Sequence, residues 1–226
     1  APREYLRLLE PLNIYSEDSK KHVYWGKNAE DKVIDLISKI PKTYRYLVGI
    51  SAGAGNKEKQ WDPKKFAAVA DYLIEKHKVR IIVIGGRTDI AENSEMLKEI
   101  SHKERVTDAT NNLSIEELKS LIAKLDLFIS VNSGPMYIAE ALDIPTVDLV
   151  GPVSELDQPP RGEIHKVVIP YGRLKPIIFV MDTRVHDIQE ARRIAQSTRV
   201  EDVIKAVEEI IALINKRGAL KSNLSE

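Results

Sequence analysis

The residues best suited to chemistry form a polar turn, Asn132-Ser133-Gly134-Pro135, between an apolar strand and a helix. Unpaired backbone N–H groups and the helix dipole both favour an anion at such a position. Asn132 and Ser133 add side-chain donors and acceptors, and Gly134 lets a ligand approach the backbone. The turn is therefore either one wall of a phosphate-containing ligand site or an ordinary strand-to-helix turn of an α/β protein.

A second polar loop, Gly53-Ala54-Gly55, directly follows another predicted strand. It lacks the third glycine and the acidic residue at the end of the second strand that a dinucleotide fingerprint needs. No Gly-Lys-Ser/Thr follows either, so the loop is not a P-loop. Small residues beside Lys57 and Lys59 can still hold a diphosphate, through backbone N–H groups and a point charge. The alternative for the two lysines is a solvated loop.

Several other kinds of chemistry are excluded or disfavoured by the residue types present. The absence of cysteine excludes disulfides, zinc–thiolate sites and thiol catalysis. The five histidines are scattered without the spacing of metal ligands. Asp89, Asp108 and Asp148 lie on separate segments, so no carboxylate pair and no Ser/His/Asp set stands out. We therefore expect no metal ion and no cofactor.

Overall charge and hydropathy narrow the partners further. The 226 residues include 34 Lys and Arg and 34 Asp and Glu, so the formal net charge is zero. A neutral chain argues against duplex nucleic acid as a partner. No run approaches the ~18 apolar residues that a membrane span needs, and no signal peptide is evident. These features predict a cytoplasmic protein without a membrane span.

The elements that would position these loops alternate between apolar strands and amphipathic helices. The strands are predicted at residues 46–51, 79–84, 106–108, 125–131 and 146–150, with short ones at 167–169 and 177–181. This alternation predicts an α/β fold, a Rossmann-like parallel sheet with helices on both faces. Ligands of such sheets bind beyond the C-terminal ends of the strands, so the loops at residues 51–59, 85–89 and 132–135 should share one edge.

The chain divides into an arm, a domain and a tail. We predict a linker or arm at residues 1–28, a Rossmann-like domain at 29–216, and a frayed tail at 217–226. Ser114 with Glu117 and Thr198 with Glu201 form two predicted capping boxes at helix starts. Gly218 is the predicted end of the last helix.

Three blocks of sequence together resemble a known family. They are residues 53–63, residues 84–86, and residues 132–142 with 144–146 and 151–152, and residues 108–113 also fit. The first is similar to the glycine loop and basic-Trp-Pro motif of the bacterial heptosyltransferases, glycosyltransferase family nine. The third resembles their Asp-Ser-Gly-Pro-Met-His signature. The resemblance is to the C-terminal half of this two-domain GT-B family, and it covers about residues 44–152 well.

The resemblance implies that this half binds a nucleotide-diphosphate sugar, commonly ADP-heptose, for transfer to a lipopolysaccharide-core acceptor. A missing N-terminal domain would bind the acceptor and supply the general base. Peripheral association with the inner membrane stays open. By resemblance, Lys59 is the catalytic residue that neutralises the departing diphosphate, and no metal is needed. The implied donor-binding residues are Ser51, Gly53, Ala54, Gly55, Lys57, Gly86, Thr88, Asp89, Asn132, Ser133, Gly134, Pro135 and Tyr137.

Two positions depart from the family signature. Its Asp is Asn132 here, and its His is Tyr137. Asn132 can hydrogen-bond a hydroxyl or phosphate but carries no charge, and Tyr137 can either stack on a base or simply pack. Two other functions stay open. A nucleotide-binding module without catalysis is favoured by both departures, and a Rossmann-like oxidoreductase is disfavoured by the incomplete dinucleotide fingerprint.

Overall fold

The structure is a computed structural model that describes residues 2–17, 20–157, 160–179, 184–185 and 187–223. Its strands are β1 (Tyr46–Ser51), β2 (Val79–Val83), β3 (Val106–Asp108), β4 (Leu127–Val131), β5 (Thr146–Leu149) and β6 (His165–Val168). Its helices are α1 (Pro2–Arg7), α2 (Lys27–Ser38), α3 (Pro63–His77), α4 (Ile90–Glu99), α5 (Ile115–Ile122), α6 (Gly134–Ala141), α7 (Ile188–Gln196) and α8 (Val200–Asn223). None of these helices, as far as the chain is described, could cross a membrane.

The six strands form one parallel sheet in the order β3-β2-β1-β4-β5-β6. β1 pairs with β2 on one side and with β4 on the other, so the direction of winding reverses between β1 and β4. Such a reversal leaves a crevice beyond the strand ends, because the two following loops turn to opposite faces. The predicted α/β fold is confirmed.

Both faces of the sheet are covered, which is why its strands are almost continuously apolar. Val48 and Ile50 of β1 pack into a core layer that includes apolar residues of α3 and α8. Leu47, directly before Val48, belongs to the opposite layer with residues of α2, α5 and α6. This alternation fixes the strand register, because a shift by one residue would exchange the two layers.

Local capping explains where two helices next to the loops begin. The Asp62 side chain accepts a hydrogen bond from the backbone N–H of Lys64, and Pro63 occupies the first turn of α3. At α5 the predicted capping box is confirmed. The hydroxyl of Ser114 accepts from the N–H of Glu117, and the Glu117 carboxylate accepts from the N–H of Ser114.

Four predictions about the C-terminal part of the chain need correction. The Thr198 hydroxyl is buried without a hydrogen-bond partner in the described chain, so the predicted Thr198–Glu201 capping box is wrong. Helix α8 continues through Gly218 to Asn223. β6 begins earlier than predicted, at His165. The predicted strand at 177–181 reduces to one bridge between Ile178 and Val153, and residues 180–183 lie outside the described residues.

The predicted arm contacts the domain through ion pairs with α6 and the turn after it. Lys21 pairs with Glu140, and Lys20 lies 3.2 Å from Asp143. The Lys21 ammonium also lies 5.0 Å from the ring centre of Tyr137. The arm therefore packs beside the helix that follows the polar turn at 132–135.

Candidate functional site

A cavity of about 300 Å³ lies beyond the C-terminal ends of β1, β2 and β4. The described residues that line it are Ser51, Gly53, Ala54, Gly55, Ile84, Gly85, Gly86, Asp89, Leu113, Ser114, Ile115, Leu118, Ser133, Gly134 and Pro135. They come from four loops that are distant in sequence. The parallel topology brings these loops to one edge, at the point where the winding reverses.

The loops after β1 and β2 contact each other closely. A Cβ placed on Gly53 would lie 2.2 Å from Cγ of Asp89. A Cβ on Gly85 would lie 2.5 Å from the Asn93 amide and 2.9 Å from Cβ of Asp89. Oδ2 of Asp89 accepts a hydrogen bond of 2.8 Å from the Gly86 N–H. Only glycines fit here, and Asp89 is held by its own turn.

The turn after β4 presents the start of α6 to the cavity. Ser133 occupies the N-cap position in an extended conformation, but its side chain makes no capping hydrogen bond. Its hydroxyl lies 3.2 Å from the hydroxyl of Ser130 instead. A Cβ on Gly134 would meet no atom within 4 Å. The first N–H groups of α6 are therefore not capped by Ser133, and the approach to them is open.

One part of the cavity lining is apolar. It consists of Leu113, Ile115 and Leu118, at and just before the start of α5. Ile115 is 61% exposed although it is a large aliphatic residue. The cavity lining thus combines glycine backbone and a helix start with apolar side chains. A ligand with a charged part and a planar apolar part matches this division.

Lys57 is committed to contacts within the protein. Its ammonium donates a hydrogen bond of 2.7 Å to the Glu92 carboxylate and one of 3.0 Å to the Thr88 carbonyl. These contacts join the turn at Lys57–Lys59 to the start of α4. Lys57 therefore has a structural role that the sequence did not indicate.

Lys59 lies near the end of β5. Its carbonyl oxygen would lie 3.7 Å from a Cβ on Gly151, which has a φ of +56° just after that strand. Burial lowers the pKa of the Lys59 ammonium below its usual value, and the negative charge of Asp148 opposes that change. A half-buried ammonium at a strand edge is suited to attract an anion, because less water screens its charge.

Trp61, two residues after Lys59, anchors this turn to the rest of the fold. It is 1% exposed and packs edge-on against Phe66, with ring centres 4.8 Å apart. Its indole N–H donates a hydrogen bond of 2.9 Å to the carbonyl of Thr198, between α7 and α8. The basic-Trp-Pro block thus keeps Lys59 on a fixed piece of backbone.

A buried polar network lies directly behind the turn after β4. Nδ2 of Asn132 donates a hydrogen bond of 3.0 Å to Oδ2 of Asp148, and the Tyr137 hydroxyl donates one of 3.0 Å to Oδ1 of Asn132. Burial raises the pKa of Asp148 to about 7, although the Asn132 amide and the charge of Lys59 act in the opposite direction. Burial likewise raises the pKa of Tyr137 to about 12. Over the described ranges, no group of three or more His, Asp or Glu side chains could hold a metal ion.

Comparison with known proteins identifies the family. The model of glycosyltransferase family 9 (heptosyltransferase) matches residues 7–180, which is most of the chain. The chain belongs to this family. A similar curated relative is lipooligosaccharide heptosyltransferase 2 of Campylobacter jejuni, 34% identical over 116 residues. That match covers 50% of this chain and 36% of the relative.

Two solved structures show that this family 9 chain shares its fold with known members. One is a family 9 glycosyl transferase from Veillonella parvula, with a TM-score of 0.73 and 22% identity, covering 92% of this chain and 59% of that one. The other is the ADP-heptose lps heptosyltransferase II of Escherichia coli, with a TM-score of 0.65 and 18% identity. It covers 90% of this chain and 56% of the other. The chain thus spans a little over half of each structure.

The structure brings together part of the residue set that the heptosyltransferase resemblance implied. The cavity is lined by Ser51, Gly53, Ala54, Gly55, Gly86, Asp89, Ser133, Gly134 and Pro135. The described lining does not include Lys57, Lys59, Thr88, Asn132 or Tyr137. Of these five, Asn132 and Tyr137 belong to the buried network, and Lys59 lies within the electrostatic influence of that network.

Sequence reasoning missed the apolar wall formed by Leu113, Ile115 and Leu118. A usable signal was present, because the Ser114–Glu117 capping box marks another helix that starts at the same edge of the sheet. Sequence reasoning also did not indicate that Asp148 would lie beside Asn132. The two are 16 residues apart and meet only because β4 pairs with β5 in a register that places Ser130 opposite Asp148.

Proposed function

We propose that this chain is the donor-binding half of a heptosyltransferase that recognises a nucleotide-diphosphate sugar of the ADP-heptose type. The sugar would go to a lipopolysaccharide-core acceptor. The observation that carries the proposal is the convergence of the glycine loop and the α6 start on one cavity at the winding reversal. A solved relative named for ADP-heptose has the same fold.

The two kinds of lining residue suit the two parts of such a donor. Backbone N–H groups near Gly53, Ser133 and Gly134 would take the diphosphate, because uncapped helix starts and glycine loops favour anions. The apolar wall around Leu113 and Ile115 would take the base. On this assignment Thr88 and Asp89 have supporting roles, since the Asp89 carboxylate already binds the Gly86 N–H.

The chemistry follows from where charge develops. An acceptor hydroxyl would form a bond to the anomeric carbon of the sugar while the bond from that carbon to the diphosphate breaks. The electron pair leaves with the diphosphate, so negative charge grows there. Fixed N–H dipoles and the ammonium of Lys59 would stabilise that charge without a metal ion.

The general base and the acceptor site would belong to a domain outside this chain. The chain spans 36% of the Campylobacter jejuni relative and 56% to 59% of the two solved structures. Those proteins therefore contain further structure beyond the part that this chain matches. We expect the isolated chain to bind donor but not to transfer sugar. Detection of sugar transfer to a core acceptor by this chain alone would contradict that division of roles.

A ligand panel tests the proposed function. The melting temperature would be measured with adenosine, AMP, ADP, UDP, GDP and NAD over a range of concentrations. A diphosphate site predicts that ADP stabilises the chain more than AMP or adenosine, with a shift that grows with concentration. A response to NAD alone would support the oxidoreductase alternative. No response to any diphosphate would overturn the proposal.

A further inference from the structure

Asp148 is the most deeply buried carboxylate near the proposed donor site. It is 0% exposed and lies on β5, between two other strands of the sheet. Only one of its oxygens, Oδ2, accepts a hydrogen bond, from Nδ2 of Asn132 at 3.0 Å. Its other oxygen, Oδ1, has no hydrogen-bond partner in the described part of the chain. Because burying a charge in this way is costly, a role in stability alone is a poor explanation.

The hydrogen bonds around Asn132 leave only one good orientation for its amide. Nδ2 donates to the Asp148 carboxylate and Oδ1 accepts from the Tyr137 hydroxyl. When Asp148 is ionised, turning the amide over would place two acceptor oxygens together. Asn132 immediately precedes Ser133 and Gly134, which line the cavity. Asp148 therefore fixes the residue from which the phosphate-facing turn begins.

Among the charged groups that act on Asp148, Lys59 is the cation. The titratable groups that act on Asp148 are Lys59 before α3, and Tyr137 and Glu140 on α6. Glu140 is paired with Lys21 of the arm, and the Tyr137 hydroxyl is neutral near pH 7. Lys59 is thus the cation on which the Asp148 charge acts most directly.

We propose that Asp148 is a positioning residue of the donor site, which orients Asn132 and, in its ionised form, acts on Lys59 through its negative charge. This inference depends on the function proposed above. It also bears on the departure from the family signature. The signature carries a carboxylate at position 132, whereas this chain carries an amide there and a carboxylate 3.0 Å away on the neighbouring strand.

The test is the pH dependence of ADP binding, measured by titration calorimetry from about pH 7 to about pH 11, where lysines titrate. Four proteins would be compared: the unchanged chain, Asp148→Asn, the exchange variant Asn132→Asp/Asp148→Asn, and Lys59→Arg. In the unchanged chain, affinity should fall at alkaline pH as Lys59 loses its proton. With Lys59→Arg that fall should disappear, because arginine stays charged.

The proposal predicts that Asp148→Asn moves the alkaline fall to lower pH by about one unit, the size expected for one neighbouring charge. The exchange variant should move it back, because one carboxylate and one amide are again present. If Asp148→Asn melts too low to be used, its binding curve is measured at a lower temperature beside that of the unchanged chain, and an alkaline fall at the same pH in both overturns the inference.

Two failures can be told apart. If the unchanged chain binds ADP with an alkaline fall that Asp148→Asn leaves in place, Asp148 has no such role and the donor site stands. If the unchanged chain does not bind ADP at any pH, the proposed function itself fails, and this inference fails with it. A role of Asp148 in folding alone would lower the melting temperature without moving the alkaline fall.

Discussion

Gly53 and Asp89 lie so close together that a Cβ at position 53 would be 2.2 Å from both Cγ and Oδ1 of Asp89. The two residues follow different strands, β1 and β2, so their contact joins two loops of the proposed donor site. The Asp89 side chain is in turn held by the Gly86 N–H, at 2.8 Å. The glycine at position 53 is therefore required by packing between loops and not by its own backbone conformation.

The first prediction concerns that contact. Gly53→Ala should lower the free energy of unfolding by about 1–3 kcal/mol, because the added methyl group must displace Asp89 from its hydrogen bond. Gly55→Ala is the matched control, since a Cβ there would meet no atom within 4 Å. Urea unfolding of both variants checks the difference. Equal stability of the two variants would show that the loops do not pack as described.

The second prediction concerns pH and Asp148. Burial raises its pKa to about 7, above the usual 3.8, so the folded state binds the proton more tightly than the unfolded state. The associated stability is fully present below about pH 4 and is lost as pH rises through about 7, amounting to at most about 4 kcal/mol. Between about pH 4 and about pH 8, the unfolding free energy of Asp148→Asn should therefore rise relative to that of the unchanged chain.

Carboxylates with a lowered pKa change the stability with pH in the opposite direction. The comparison with Asp148→Asn is needed to isolate the contribution of Asp148. The Lys32 ammonium and the N–H and hydroxyl of Ser114 hold the pKa of Glu117 down at about 2, so its contribution is lost only as pH falls toward that value. Because Glu117 is present in both proteins, its contribution cancels in the difference between their unfolding free energies. A difference that stays constant with pH would mean that Asp148 titrates normally.

The third prediction separates the two lysines of the turn after β1. Lys59→Ala should weaken ADP binding by about ten- to a hundredfold, the usual loss for a charged hydrogen-bond donor. Lys57→Ala should weaken it less, because the Lys57 ammonium already binds the Glu92 carboxylate at 2.7 Å. Titration calorimetry at neutral pH measures both. A larger loss for Lys57→Ala would reverse the two assignments.

The fourth prediction uses the two pairs that the sequence marked as capping boxes. Ser114→Ala should cost about 1 kcal/mol of unfolding free energy, because it leaves the N–H of Glu117 without its partner. Thr198→Val should be neutral or stabilising, because the Thr198 hydroxyl is buried without a hydrogen bond in the described chain. Thermal or urea unfolding distinguishes them. A loss from Thr198→Val as large as that from Ser114→Ala would contradict the observed hydrogen bonding.

Strand and helix patterns gave most of the fold, because both faces of the sheet are covered and the apolar runs are unambiguous. The strand at Tyr46–Ser51 and the start of α3 at Pro63 are confirmed. Prediction was weakest after Gly151, where single residues such as Ile178 pair without forming a strand. Such bridges depend on tertiary contacts that local sequence does not record.

The site was partly predictable for the same reason. Once the strands were placed, parallel topology required the loops at 53–55, 86–89 and 133–135 to meet. The side-chain contacts within that edge could not be obtained in this way. Neither the engagement of Lys57 with Glu92 nor the contact of Asn132 with Asp148 follows from spacing, because each depends on the register and direction of separate elements.

The most direct test of the account is a crystal structure of this chain with ADP bound. The account predicts that the diphosphate lies against the backbone N–H groups of Ser133 and Gly134 and the loop at 53–55, with the base against Leu113 and Ile115. The ammonium of Lys59 should point toward the terminal phosphate. ADP bound at another edge of the sheet, or with its phosphates turned away from the start of α6, would contradict the central claim.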